Sequence, residues 1–365
     1  MTSTIRHAAG SLLVVGLSGT VLTGLERAWL KLLRPSGIIL FRRNVAEAAQ
    51  TRALLAESIG YCHNFNLRCV DIEGGTVDRL RDAVAAMPSA QAVAQAAIRT
   101  GKPALMRRHG ELIAKEALAF GFNTTLAPVL DLALPESAAV MGTRASSPSP
   151  LNVVAYVRNF LVGLAAHGVV GCGKHFPGLG GGTLDSHLET PAIGRSWAEL
   201  WREDLVPYRQ LAPDLPMVMV NHACYPKTRG GHRPATASAF WITTVLKKRI
   251  GYKGIIFSDD MEMGGILKAA PIEEAVVLAV RAGIHLMEIC HSPELILRGY
   301  EALIAEAEHS AAFRKLLLER AVVSRRLRKI RFSDPTARAL SAAQLAALRD
   351  QVRIFADKVE RSAPK

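Results

Sequence analysis

Residues 254–260 read GIIFSDD. Ile255, Ile256 and Phe257 stand together with no polar residue between them, and the run ends on two carboxylates, Asp259 and Asp260. A strand with one wet face alternates apolar with polar, whereas an unbroken apolar run fits a strand covered on both faces. Seven further runs have this character: LLVVGL (12–17), GIILF (37–41), LRCVDIE (67–73), NTTLAPVLDL (123–132), VVGCGKHF (169–176), MVMVNHA (217–223) and HLMEIC (285–290). Most are separated by longer segments with helical apolar spacing, such as ALMRRHGELIAKEALAFG (104–121) and LNVVAYVRNFLVGLAAHG (151–168). Eight buried strands separated by helices predict an α/β fold, a (β/α)8 TIM-type barrel; a doubly wound open sheet is the competitor. The strand ends favour the barrel. Asp71 and Glu73, Asp131, Lys174 and His175, Asn221 and His222, and Asp259 and Asp260 close five successive runs. Barrel active sites are assembled at those ends.

The 365 residues suit one such barrel, and a hydrophobic content of 49% supports a large core. After about residue 300 the pattern turns helical, basic and alanine-rich. It predicts a catalytic barrel over residues 1–335 and a helical C-terminal extension over 336–365. Residues 311–365 carry 14 Lys and Arg against five Asp and Glu, a large share of the net charge of +13. That excess lies far in sequence from the polar strand ends, so solvated helix faces explain it better than a nucleic-acid groove. Five scattered cysteines without C-x-x-C spacing argue against a disulfide framework or zinc site, and fit the reducing cytoplasm. SLLVVGLSGTVL (11–22) has the look of a weak signal-peptide core, but it runs straight into a helical pattern and reads as a first buried strand. No apolar run is long enough for a membrane span.

Adjacent carboxylates on a strand point to opposite sides, so Asp259 and Asp260 do not share a proton; one faces the barrel mouth and the other makes structural hydrogen bonds. A carboxylate at the mouth can serve as nucleophile, metal ligand or general base. In KHFPGLGGGTLDSH (174–187), Asp185 and His187 lie two apart. In an extended loop they share a side, so Asp185 can orient the imidazole of His187 as a general acid/base. The glycines between, from Gly178 to Gly182, read as hinge points of a mobile loop; a plain turn or a phosphate cradle is the simpler alternative. In DIEGGTVDR (71–79), Asp71 and Arg79 can bracket a hydroxyl-rich ligand or form a structural ion pair. Lys174, His175 and Arg144 are further donors, and many donors beside carboxylates suit a sugar.

The ordered set DIEGGTVDR, APVLDL (127–132), MGTR (141–144), KHFPG with DSH, and FSDDM (257–261) resembles glycoside hydrolase family 3. The likeness runs over about residues 10–330 and is greatest to the family's single-domain bacterial β-N-acetylglucosaminidases, which act on peptidoglycan fragments. The resemblance implies Asp259 as nucleophile, His187 as acid/base and Asp185 as its partner. It places Asp71, Arg79, Arg144, Lys174 and His175 on the sugar. It implies a retaining reaction with no cofactor or metal, on a carbohydrate containing N-acetylglucosamine. A phosphorylase, a glycosidase for another sugar and a weakened sugar-binding barrel are the alternatives. A metal-dependent barrel hydrolase fits less well, since His175, His187 and His222 come without an H-x-H after the first strand. Relatives usually read KHFPGHGDT where this chain has KHFPGLGGG; Leu179 and Gly181-Gly182 therefore predict a looser loop. Asn221 and Glu288 stand out with no role assigned.

Overall fold

The computed structural model describes residues 2–182, 191–332 and 339–362. Eight parallel strands form the centre: β1 (Leu13–Gly16), β2 (Gly37–Leu40), β3 (Leu67–Val70), β4 (Thr124–Thr125), β5 (Val170–Phe176), β6 (Met217–Val220), β7 (Ile255–Ser258) and β8 (Met287–Ile289). Each lies within one of the eight apolar runs. Spatial order follows chain order, and β8 pairs with β1, Leu13 standing opposite Met287. A bridge between Phe257 and Leu286 joins β7 to β8 and closes the ring; Leu286 accepts from the Ser258 N–H at 3.0 Å. Closure excludes the open doubly wound sheet. Parallel neighbours need crossover connections, and the helical segments between strands supply them.

The unbroken apolar runs are explained by two separate cores. Val14, Ile39, Cys69, Cys172, Met219 and Phe257 fill the bore, while a larger cluster lies between strands and helices. Phe332 joins the inner cluster, with Phe65 and Leu327 packed against it. Phe65 stands two residues before β3, so this end of the bore is stoppered on the side where strands begin. The helices Ala104–Ala119 and Pro150–Ala165 meet backbone to backbone: a Cβ on Gly110 would lie 2.1 Å from the Phe160 carbonyl oxygen, and one on Gly163 2.2 Å from that of Arg107.

Helix Ala311–Arg331 packs on Thr2–Gly10, and helix Ala342–Arg361 packs on Ala90–Thr100 and Ala104–Ala119. The reading of the basic C-terminal residues as solvated faces holds for Arg325, Arg326 and Lys329 but not for Arg328, which is 1% exposed. Arg349 also turns inward, donating to the carbonyls of Val84 and Ala83 at 3.0 and 3.2 Å. All five cysteines are free. Among the described residues no helix is long and apolar enough to cross a membrane.

Candidate active site

Side chains alternate across a strand with period two, and this carries the inward face past each strand end. Cys69 faces the bore, and Asp71 follows it two residues on. The same step leads from Cys172 to Lys174, from Phe257 to Asp259 and from Leu286 to Glu288. These four line a cavity of about 380 Å³ at the C-terminal mouth of the barrel, together with Arg79, Arg144 and His175. Six residues singled out in the sequence, namely Asp71, Arg79, Arg144, Lys174, His175 and Asp259, therefore share one cavity. Asp185 and His187 lie outside the described residues.

Glu73, a strand-end residue without a proposed role, organises the cations. Lys174 Nζ donates to Glu73 Oε1 at 2.7 Å and to Asp71 Oδ1 at 2.9 Å. Arg144 grips Glu73 with two bonds of 2.8 Å, from Nε and Nη2. Such a bidentate fork fixes the guanidinium plane as well as its charge. Arg79 Nη2 lies 3.5 Å from Asp71 Oδ2, and its guanidinium sits over the Phe41 ring at 5.6 Å. Burial opposes ionisation of Asp71 and Glu73, but the neighbouring cations outweigh it: Lys174 and Arg79 hold the Asp71 pKa below its usual value, and Arg144 and Lys174 do the same for Glu73. Burial likewise opposes the charge on Lys174, and Asp71 and Glu73 overcome it, so the ammonium persists. The hairpin Ile72–Gly74 and Val77–Asp78 carries this acidic half of the network.

His175 is pinned through Asp131, whose Oδ2 lies 2.6 Å from Nδ1 and accepts from the His175 N–H at 3.1 Å. The other carboxylate oxygen accepts from the Leu179 N–H at 2.7 Å. Asn221 also acquires a role here. Its Nδ2 donates to the His175 carbonyl and to the Tyr225 hydroxyl, which donates in turn to the Gly178 carbonyl. His222 is bound to Thr236 and to the Asp260 carbonyl, at 2.9 and 3.0 Å, away from the cavity lining.

As far as Gly182, the glycine segment lies packed against its neighbours. Leu179 is 7% exposed and belongs to the large core. A Cβ on Gly180 would stand 2.9 Å from the Leu132 carbonyl oxygen, one on Gly181 2.7 Å from Arg195 Cδ, and one on Gly182 2.9 Å from Ile193 Cδ1. These glycines let the backbone lie close against its neighbours.

Asp259 and Asp260 both border the cavity. Asp260 Oδ1 accepts from the Glu262 N–H at 3.0 Å, the structural bond expected of one member of the pair. Asp260, Glu262 and His291 hold their donor atoms within 4.8 Å of one another, a spacing compatible with a cation. Arg43 already brings positive charge there, with Nη1 2.8 Å from His291 Nδ1. Burial, helped by Glu262 and Asp259, pushes the Asp260 carboxyl up to about 8. Burial also raises Glu288 well above the usual range, Asp260 and Asp259 adding to it, and Glu288 Oε2 has no hydrogen-bond partner among the described residues. Neutral carboxyls thus lie beside the bed of ion pairs.

A raised folded-state pKa contributes stability that is fully present below the unfolded value, near 4, and is lost as pH rises through about 8 for Asp260. Asp260→Asn should flatten the fall in stability over that window, a relative gain on the order of 4 kcal/mol between pH 5 and pH 8. Urea denaturation at several pH values tests this, and parallel profiles for parent and variant would refute it.

The sequence model described as "Glycosyl hydrolase family 3 N terminal domain" matches residues 4–322. A β-hexosaminidase of Alkalilimnicola ehrlichii is 38% identical over 287 residues, spanning 78% of this chain and 82% of that protein. A β-hexosaminidase of Stenotrophomonas maltophilia (strain R551-3) is 34% identical over 84% of this chain and 91% of its own length. Among solved structures, a family 3 β-N-acetylglucosaminidase from Paenibacillus sp. superposes with a TM-score of 0.83 at 28% identity, covering 96% of this chain and 68% of that one. NagZ from Neisseria gonorrhoeae, in complex with N-trifluoroacetyl-D-glucosamine, gives 0.73 at 30% identity, covering 86% and 98%. With the closed barrel and a carboxylate-rich mouth in place, the chain belongs to glycosyl hydrolase family 3 and is a glycoside hydrolase.

Proposed function

We propose that the chain is a retaining exo-β-N-acetylglucosaminidase that removes terminal β-linked N-acetylglucosamine from peptidoglycan fragments in the cytoplasm. The catalytic barrel is assigned to residues 1–335, with 336–365 as an extension. The observation that carries the reading is Asp259, an inward carboxylate at the mouth of a cavity also lined by Asp71, Lys174, Arg144 and His175. The names of the relatives, β-hexosaminidase and β-N-acetylglucosaminidase, support the sugar class.

In this reading an Asp259 carboxylate oxygen attacks the anomeric carbon while the bond to the leaving-group oxygen breaks. His187, oriented by Asp185, gives that oxygen its proton. The glycosyl ester is then hydrolysed by water, which loses a proton to His187 as it attacks the anomeric carbon and frees Asp259. The cations around Glu73 and Asp71 are already ordered by their own carboxylates. They meet sugar hydroxyls with little loss of side-chain freedom on binding.

Turnover of an aryl β-N-acetylglucosaminide beside the matching β-glucoside tests the proposal. Hydrolysis is expected on the N-acetylated substrate, at least tenfold faster. Equal rates on both would refute the sugar assignment. Binding of N-acetylglucosamine without turnover would refute the reaction.

A further inference from the structure

A second cavity, of about 450 Å³, lies on the face of the barrel where strands begin, remote from the mouth. Ser11, Arg34, His63 and Asn64, which line it, precede β1, β2 and β3 in the chain. Arg325 and Arg328 of helix Ala311–Arg331 reach it from the other side, and His7 from the first helix. None of the described residues that line it is acidic. Arg328 is 1% exposed, yet among the described residues no carboxylate pairs with it. Its Nη1 donates to the carbonyls of Asn64 and Phe65 at 2.9 and 3.0 Å, and its buried Nε has no partner among the described residues. The buried Nε2 of His63 is also without one. Arg34 and Arg325 are exposed and make no ion pair among the described residues.

A guanidinium does not readily shed its proton, so burying one without an anion leaves a costly charge uncompensated. The surroundings show the strain on charge: burial, then Arg328 and Arg34, bring His63 down to about 4, and burial brings Arg328 down to about 10. Burial is the larger cause in both, and for His63 the neighbouring guanidiniums add to it. Leu318, Ala321 and Val322 add an apolar wall. The volume matches a small molecule and not a protein segment.

We propose that this cavity binds a small phosphate monoester, its phosphoryl oxygens held by Arg34, Arg325 and Arg328 and its carbon skeleton resting on Leu318 and Val322. The arrangement supplies guanidinium forks on one side of an oxyanion and an apolar seat on the other. It does not depend on the reading of the catalytic mouth.

The test is calorimetric titration of the full chain with inorganic phosphate and with glycerol 3-phosphate at constant ionic strength. It is run on the parent, on Arg34→Gln/Arg325→Gln, and on Asp259→Asn. Both altered arginines are exposed, so the double variant should fold, as circular dichroism would verify. Saturable binding is expected in the parent, tighter for glycerol 3-phosphate than for phosphate. It should weaken at least tenfold in the arginine double variant and stay unchanged in Asp259→Asn. Absence of saturable binding, equal binding by the double variant, or loss confined to Asp259→Asn would each overturn the proposal. Phosphate binding no weaker than glycerol 3-phosphate would overturn the apolar seat.

Discussion

Asp259→Asn is expected to lower turnover of an aryl β-N-acetylglucosaminide about ten-thousand-fold or more, since the variant loses the group that forms the covalent intermediate. The substitution is nearly isosteric, and Asp259 sits at the cavity edge rather than in the packed bore. Folding should therefore be retained, and the loss should fall on kcat with KM little changed. A smaller replacement offers a sharper test. In Asp259→Gly the vacated space admits azide, which can attack the anomeric carbon of an activated aryl glycoside from the same side. The aryl oxide then leaves and the product is the glycosyl azide of inverted configuration. Azide-dependent recovery with that product identifies the attacking group. A drop of less than about tenfold in Asp259→Asn, where covalent participation is worth far more, would sink the assignment.

Lys174→Met is expected to destabilise the fold by about 3–5 kcal/mol, the usual cost of breaking a buried ion pair from one side. Lys174 and Glu73 are 4% and 1% exposed at their side chains, and Asp71 12%. Removing the ammonium leaves two carboxylates close together, with Arg144 and Arg79 as their remaining cations. The companion variant Lys174→Met/Glu73→Gln should recover part of the loss, because it removes the carboxylate that the lysine had compensated. Urea midpoints for the parent and the two variants settle the matter. If the single variant were as stable as the parent, the network would be ornamental. If the double variant were worse than the single one, Glu73 would be serving Arg144 more than Lys174.

The strands were legible because a two-sided barrel strand has no reason to alternate. Even β4, only Thr124–Thr125 as a regular strand, was visible through the apolar residues that follow it. The cavity residues were legible for a related reason: they continue the inward series beyond Cys69, Cys172 and Phe257. The bond partners were not. Glu73 reaches Arg144 and Lys174 across some 70 to 100 positions, and no local spacing encodes that meeting. Asn221 looked idle because its partners are main-chain carbonyls and a tyrosine hydroxyl, groups that leave no mark in a motif. Gly180–Gly182 suggested freedom, since a sequence cannot tell a glycine that swings from one pressed against a neighbour. Arg328 was miscounted with the solvated charges because its burial depends on Asn64 and Phe65, far off in the chain.

The pairing of β1 with β8 sets a timetable for the nascent chain. Leu13, Val14 and Val15 wait for Met287, Glu288 and Ile289 before their outer edge is covered. At roughly 5–20 residues per second, the ribosome delivers the second partner about 15–55 s after the first. Throughout that interval a growing parallel sheet carries an open, apolar flank on its oldest strand, the kind of edge on which chains aggregate. Completion therefore waits until Met287, Glu288 and Ile289 have been made. A pause before residue 290 would prolong that exposure.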